Sequence, residues 1–283
     1  MNIFETTGEV QEYVKEARQN GKLIGFVPTM GALHQGHLSL IEASRAQADE
    51  TIVSIFVNPA QFNDPADYTK YPITTDKDIE MLKKSRTNVL FLPSVQEVYP
   101  DGLPVFERYD LGYLETLLEG AYRPGHFQGV CQVMARLLNV VRTNHLYMGQ
   151  KDYQQCMVVK RLLELLGIDK LVELHICPTV REPDGLAMSS RNLRLTPSAR
   201  QKAVVIYRAL RYVKEYLYPG HVFPLAATAR EMLQEEQMQV DYFEIADAET
   251  LSPIIKWDGQ TRLVAVTAAF IDEVRLIDNM LLN

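Results

Sequence analysis

The chain has 283 residues, 47% of them hydrophobic and 23% charged, a balance that excludes disorder and leaves enough apolar material for one large or two ordinary cored domains. A formal net charge of −7 excludes general affinity for nucleic acid, which needs a cationic surface, so any anionic ligand must be met by a local cluster of positive groups. No apolar run reaches the ~18 residues of a membrane span, and the opening residues carry Glu5, Glu9 and Glu12 instead of a basic leader, which predicts a cytoplasmic protein that engages no membrane.

In chain order, Leu23 to Val27 is a short apolar run ending at Pro28, and after Gly31 and Gly36 the helical pattern Leu38, Leu40, Ile41 begins. The segment reads as buried strand, turn, helix. Thr51 to Val57 is a β-branched run without clean alternation, as expected of a strand covered on both faces. A helix is predicted over Thr75 to Ser85 and a strand over Val89 to Leu92, stopped by Pro93. Gly129 to Val141 reads as helix, Leu146 to Met148 as strand, Asp152 to Leu166 as helix closed by Gly167, and Leu171 to Cys177 as strand. This alternation predicts an α/β fold with a mostly parallel, doubly wound sheet. From Thr196-Pro197 the pattern changes: a long amphipathic helix over Ala199 to Leu217, a second over Pro224 to Gln237, then strands at Asp241 to Ile245, Arg262 to Phe270 and Val274 to Ile277. A smaller α+β domain over residues 187–283 follows a first domain over residues 1–186, and the cleft between them is a natural substrate site. Cys131, Cys156 and Cys177 form no CxxC pair and read as buried, reduced thiols; no metal centre is assigned.

In open sheets ligands gather at the carboxyl ends of strands. Four polar segments fall there: Thr29 to His37, Asn58 to Phe62, Gly149 to Gln155, and Val180 to Arg191. In the first, His34 and His37 flank Gly36 at a helix mouth, where free N–H groups and the dipole attract an anion and phosphate is the obvious one. Structural histidines and a metal site remain other readings of the pair; a metal would need further ligands. In Gly149-Gln150-Lys151-Asp152, Gly149 permits close backbone approach, Lys151 brings a mobile charge that the helix dipole disfavours, and Asp152 suits a ribose hydroxyl, a Mg-linked water or plain capping. Met188-Ser189-Ser190-Arg191 puts two hydroxyls before a guanidinium, a compact phosphate clamp or a solvated linker. Gln61 can donate and accept at once, suiting a polar substrate, with Phe62 as an apolar wall, though taken alone the segment reads equally as a plain loop. Arg123-Pro124-Gly125-His126-Phe127 is a turn with one fixed cation, or a plain surface turn. No Gly-x-x-x-x-Gly-Lys-Ser/Thr loop, Gly-x-Gly-x-x-Gly fingerprint or Gly-x-Ser-x-Gly elbow occurs.

PTMGALHQGHLSLI, FVNPAQF, RPGHFQGV, GQKDYQQ and DGLAMSSRN, in this order, resemble the pantoate:β-alanine ligase family over about residues 3 to 280. The resemblance implies the Rossmann-like HIGH-superfamily nucleotidyltransferase fold, with MSSRN in the part of the superfamily's KMSKS loop and residues 187–283 as a lid over a nucleotide- and pantoate-binding domain. It implies attack of the pantoate carboxylate on the α-phosphate of ATP, release of pyrophosphate, and displacement of AMP from pantoyl adenylate by β-alanine. Carried over by motif, Met30, Gly31, Ala32, Leu33, His34, Gln35, Gly36 and His37 line the ATP site together with Gly149, Gln150, Lys151, Asp152, Val180, Met188, Ser189, Ser190 and Arg191. Gln61 and Gln155 hold pantoate. His34, His37, Lys151 and Ser190 are the catalytic set, with His37 the residue usually assigned as proton donor. Mg2+ accompanies ATP, held by ATP alone or also by carboxylates such as Asp76 or Asp78, and a homodimer is implied. Where many relatives carry a basic residue, this chain has Ile73, so any contact of that side chain is lost or supplied elsewhere. Two other readings remain: another HIGH-type nucleotidyltransferase with a phosphate-bearing acceptor, which would demand cations around Gln61 and Phe62, and a nucleotide sensor without turnover.

Overall fold

The computed structural model describes residues 1–63, 65–103 and 107–283. In chain order its elements are β1 (Asn2–Phe4), α1 (Thr7–Gln19), β2 (Ile24–Thr29), α2 (Gln35–Gln47), β3 (Glu50–Ile55), α3 (Pro65–Thr69), α4 (Thr75–Lys84), β4 (Val89–Phe91), α5 (Val95–Val98), α6 (Glu119–Tyr122), α7 (His126–Val141), β5 (His145–Gly149), α8 (Tyr153–Leu165) and β6 (Glu173–Cys177). They continue with α9 (Pro197–Lys202), α10 (Val205–Glu215), β7 (Gly220–His221), α11 (Phe223–Glu235), β8 (Gln239–Asp247), β9 (Lys256–Trp257), β10 (Leu263–Ile271) and β11 (Val274–Leu281). The chain divides into two compact units, Met1–Gly149 with Val158–Pro178, and Gln150–Met157 with Thr179–Asn283.

In the first unit six parallel strands lie in the order β1-β4-β3-β2-β5-β6. The order reverses between β2 and β5, the switch point at which sheets of this class bind ligands. The four polar segments singled out from sequence follow β3, β2, β5 and β6, which are consecutive in the sheet. Val27, Val53, Leu90 and Ile41 are fully buried in a cluster between sheet and helices, as their β-branched and aliphatic character requires; burial of each is worth roughly 1.5–3 kcal/mol.

Pro28, expected to end its strand, lies inside β2 instead. Ile24 is bonded on the β5 side and Leu23 and Thr29 on the β3 side, so by alternation Pro28 turns toward β5. Pairing with β5 there ends at Phe26, and the missing proline N–H interrupts nothing. The helix predicted from Gly129 begins three residues earlier, at His126.

In the second unit β11-β10-β8 form an antiparallel sheet, with α10 and α11 packed on it through Leu210, Val213, Leu225 and Leu233. The single helix expected over Ala199 to Leu217 is two, because the chain tightens at Ala203 and the Ile206 N–H bonds Ala203, three residues back. Cys131 and Cys156 are buried free thiols, whereas Cys177 is only half-buried, at the end of the edge strand β6. No helix among the described residues is long and apolar enough to cross a membrane.

Candidate functional site

The first unit assembles Met30 to His37, Gln61 and Gly149. His34 is the N-cap of α2: its Nδ1 accepts from the Gly36 N–H at 3.1 Å, while the His37 Nδ1 accepts from the His34 N–H at 3.3 Å. The two rings lie 4.2 Å apart. Because both Nδ1 atoms act as acceptors, a neutral ring in either position carries its proton on Nε2. A Cβ on Gly36 would sit 2.8 Å from the His34 ring, which is why the residue between the histidines and beneath the cap is glycine.

The approach to α2 is held by a residue outside the predicted set. Asp78, on α4 and 1% exposed, accepts the Ala32 and Leu33 N–H groups at 2.9 Å each and the Thr74 hydroxyl at 3.1 Å. Ala32 takes a left-handed conformation, φ 50°, and these bonds keep it there. Gly31 also has positive φ, and a Cβ on it would meet Ile55 and Asp78 at 3.1 and 3.2 Å. Asp78, considered from sequence as a Mg2+ ligand, is thus engaged in fixing the loop, while Asp76 is exposed on the same helix.

Gln61 closes a 3-10 turn, Pro59–Gln61, capped by Asn58. Its Nε2 lies 2.9 Å from the Met30 Sδ and its Oε1 accepts from Asn58 Nδ2 at 3.1 Å, joining the turn to the loop after β2. Asn58 is fixed by the Tyr99 hydroxyl at 2.7 Å and donates to the Gly129 carbonyl at 3.1 Å. A Cβ on Gly129 would stand 2.2 Å from the Ala60 carbonyl oxygen, so only glycine lets α7 pass this close. The His126 ring bridges Arg123 and the Gln61 backbone: Nε2 accepts from Arg123 Nη1 at 3.1 Å, and Nδ1 therefore donates to the Gln61 carbonyl at 2.8 Å. The Arg123 to His126 turn, which sequence reasoning offered as one fixed cation, buttresses Gln61. Ile73 is 79% exposed and lines a cavity of about 250 Å³ with Met30, Gly31, Phe56 and Thr74.

The second unit holds Gln150, Lys151, Asp152, Gln155, Val180 and Met188 to Arg191. Residues Gln150–Asp152 form a 3-10 turn whose Gln150 and Lys151 carbonyls both accept from Asn279 Nδ2, at 2.8 and 2.9 Å. Lys151 Nζ lies 3.8 Å from Asp152 Oδ1, a separation that leaves the ammonium able to meet another anion. Val180 and Met188 pair through backbone, and Ser189 caps the following 3-10 turn by accepting the Arg191 N–H at 3.2 Å. Ser190 is buried; Gln155, in the first turn of α8, is half-buried. Arg181 fastens this segment, with a double bond pair to Asp278 at 2.6 and 3.0 Å, a bond to the Asn279 carbonyl at 3.2 Å, and its guanidinium over the Tyr207 ring at 4.8 Å. Asp278 and Asn279 on β11 thus tie down both groups of predicted residues in this unit. Sequence reasoning missed them, and it missed the loop-fixing roles of Asp78, offered only as a Mg2+ carboxylate, and of Asn58, named only as the start of a candidate segment, since a lone Asp or Asn inside a strand, helix or turn carries no sign of its partner.

A sequence model of one protein family, described as Pantoate-beta-alanine ligase, matches residues 2–281. The chain is 43% identical to the Pantothenate synthetase of Thermotoga neapolitana and 44% identical to that of Koribacter versatilis, over 100% of this chain in both cases and 100% and 96% of those proteins. Among solved structures, it superposes on a pantothenate synthetase from Thermus thermophilus with a TM-score of 0.89 at 41% identity, covering 99% of each chain. It matches the pantoate-beta-alanine ligase of Francisella tularensis, complexed with beta-gamma ATP and beta-alanine, with a TM-score of 0.81 at 37% identity over 99% of this chain and 97% of that one. A match along the whole chain, by sequence and by fold, places this protein in the pantoate-beta-alanine ligase family of enzymes.

Proposed function

We propose that this ligase activates the carboxylate of pantoate with ATP and passes the pantoyl group to β-alanine through pantoyl adenylate. The observation that carries the reading is the reciprocal cap at the mouth of α2, in which both histidines accept backbone N–H at Nδ1 and keep a donor at Nε2. Donors fixed before the reaction cost no reorganisation when charge develops, and each is worth about 3 kcal/mol by the measure of oxyanion-hole deletions.

The carboxylate is a poor electrophile and must first be given a leaving group. A pantoate oxygen attacks the α-phosphorus of ATP, the bond to the bridging oxygen breaks, and pyrophosphate departs with its electron pair. The amine of β-alanine then attacks the pantoyl carbonyl carbon, AMP leaves with the acyl oxygen, and the amine proton passes to solvent. His34 and His37 donate to the phosphate oxygens, acting as hydrogen-bond donors whose proton need not transfer. Lys151, by its charge, and Ser190, by a hydrogen bond, stabilise the charge that moves to pyrophosphate. The backbone from Met30 to His37, with Gly149, Gln150, Asp152, Val180, Met188, Ser189 and Arg191, receives the nucleotide, while Gln61 and Gln155 hold pantoate. The partners that fix Gln61, namely Asn58, Met30 and the His126 ring, favour a neutral polar tail over a phosphate-bearing acceptor.

Mg2+ suits this site as a companion of the triphosphate, because octahedral Mg2+ takes one or two carboxylates plus substrate phosphates. Asp78 spends its oxygens on Ala32, Leu33 and Thr74, which leaves exposed Asp76 and half-exposed Asp152 as the carboxylates available to the ion or its waters. The same reading carries a cytoplasmic homodimer, for which sedimentation equilibrium is the check. The enzymatic test is product analysis with Mg-ATP. Pyrophosphate should appear with pantoate alone in a single turnover, and AMP with pantothenate only after β-alanine is added. ADP and orthophosphate as products, or no turnover with both substrates, would overturn the proposal.

A further inference from the structure

His145, Glu173 and His175 lie outside everything the ligase chemistry uses. His145 opens β5 and Glu173 opens β6; the two residues pair in register, with Tyr147 opposite His175 two positions on. Alternation along a strand therefore places His145, Glu173 and His175 on one face of the sheet. The catalytic loops leave the carboxyl ends of the same strands. Gly149 lies four positions after His145, about 13 Å along the strand.

The three ligand-type atoms form a small triangle. His145 Nδ1 is 3.0 Å from His175 Nε2 and 3.5 Å from Glu173 Oε2, and His175 Nε2 is 3.7 Å from that oxygen. Tetrahedral zinc with bonds of ~2.0–2.2 Å to nitrogen and oxygen sets its ligands about 3.4 Å apart, the middle of this range. The imidazole side chains are 16% and 17% exposed, and Glu173 is 67% exposed on the edge strand, so two ligands are held by the fold while the third admits ion and water. The His175 ring is stacked on Tyr147 at 4.6 Å with 10° between planes, and Tyr147 is itself buried and bonded through its hydroxyl to Gln47. A ring pinned in this way keeps its nitrogen aimed at the triangle.

We propose that His145, Glu173 and His175 form a binding site for a zinc-class divalent ion, with water as fourth ligand, that fastens edge strand β6 to β5. The donor set of two imidazoles and one carboxylate selects Zn2+, Co2+, Ni2+ or Cu2+ over Mg2+ and Ca2+, which require oxygen shells. The site stands apart from the first unit's candidate loops: it lies at the amino ends of β5 and β6, whereas those loops leave the carboxyl ends of the strands.

The test uses tag-free, chelator-treated full chain titrated with Co2+ and followed by visible absorption, with Zn2+ as competitor and melting temperature as second readout. One equivalent of Co2+ should give tetrahedral d–d bands that Zn2+ abolishes, and Zn2+ at 100 times its Kd should raise the melting temperature by about 5 °C or more. His145→Ala and His175→Ala should remove the bands. Glu173→Gln, an exposed substitution that leaves the fold and the metal-free ligase activity intact, should weaken Co2+ binding tenfold or more. His34→Ala should keep the bands, which separates this site from the histidine pair on α2. Absence of Co2+ binding below 100-micromolar levels, as expected if the imidazoles merely share a hydrogen bond, would overturn the proposal, as would bands that survive Glu173→Gln and His175→Ala unchanged.

Discussion

Asp78→Asn isolates the contribution of one buried carboxylate to the geometry of the histidine loop. The substitution keeps shape and volume, so any effect comes from charge and from the exchange of one acceptor for a donor. In the native chain one carboxylate accepts two backbone N–H groups at 2.9 Å, from Ala32 and Leu33. The amide can accept one of them and must turn its NH2 toward the other. One charge-assisted bond disappears and a buried N–H is left opposite a donor, a combined cost of about 2 to 4 kcal/mol. Ala32, at φ 50°, loses the bond that holds a conformation costing on the order of 1 kcal/mol, so relaxation should spread along residues 31–33 toward His34. A displacement near 1 Å at the histidines is enough for roughly 100-fold in rate. Amide hydrogen exchange supplies the local readout: protection at Ala32 and Leu33 should fall sharply in the variant while β3 and β4 stay protected. Pyrophosphate release supplies the functional one. Unchanged exchange at these two amides, with unfolding stability within about 0.5 kcal/mol of the parent, would refute the argument.

Other substitutions probe the remaining supports. Gly36→Ala places a Cβ 2.8 Å from the His34 ring, so the cap bond should break at a cost of about 1 kcal/mol and adenylation should slow at least ~10-fold; an unaltered rate would mean that the ring is not held by its cap. Asn279→Ala removes the two bonds that fix the Gln150 and Lys151 carbonyls, and KM for ATP should rise ~10-fold while the far-ultraviolet spectrum stays native; an effect confined to stability would make Asn279 a packing residue only. Cys131, whose thiol burial pushes up to about 12, should resist alkylation in the native chain at pH 8 and react on unfolding; rapid native labelling would contradict the buried placement. The Arg200 guanidinium, bonded to Asp184 at 2.7 and 3.1 Å, holds that carboxyl below the usual range. A lowered folded-state pKa stabilises above the unfolded value of ~3.9 and is lost as pH falls through the folded one. Asp184→Asn should therefore be slightly less stable than the parent at pH 7, and urea melts should converge in acid beneath both values; a gap that persists there would assign it to something other than ionisation.

Much of the fold was legible in residue pattern because the forces that set it are local or repetitive. The β-branched run Thr51 to Val57 announced a strand covered on both faces, and its residues Ile52 and Val53 are fully buried in β3. Strands alternating with helices implied parallel pairing, and all six strands of the first unit are parallel. The candidate loops were legible because ligand-binding backbone needs particular residues at particular spacings: glycine under the His34 ring, a cation where a helix dipole opposes it. Pro28 was misread because the rule that proline ends a strand presumes a neighbour on both sides, and pairing with β5 had already stopped.

Only tertiary structure decided what holds those loops in place. Asn279 bonds residues about 129 positions away, Asp278 is separated from Arg181 by 97, and Asp78 from Ala32 by 46. Such partners leave no periodicity or spacing to read. A buried Asp or Asn looks in sequence like any solvated one until the donors that compensate its burial are known. The pairing of His145 with Glu173 and His175 was hidden for the same reason, since nothing in the chain states that β5 and β6 are neighbours or fixes their register. The amino-acid order by itself determined which segments are apolar enough to become strands and helices and which polar loops stand as candidates for ligand binding. The registry of strands, and with it the hydrogen-bond partners of buried polar groups such as Asp78 and Asp278, came from packing, because those contacts join groups that the chain alone keeps apart.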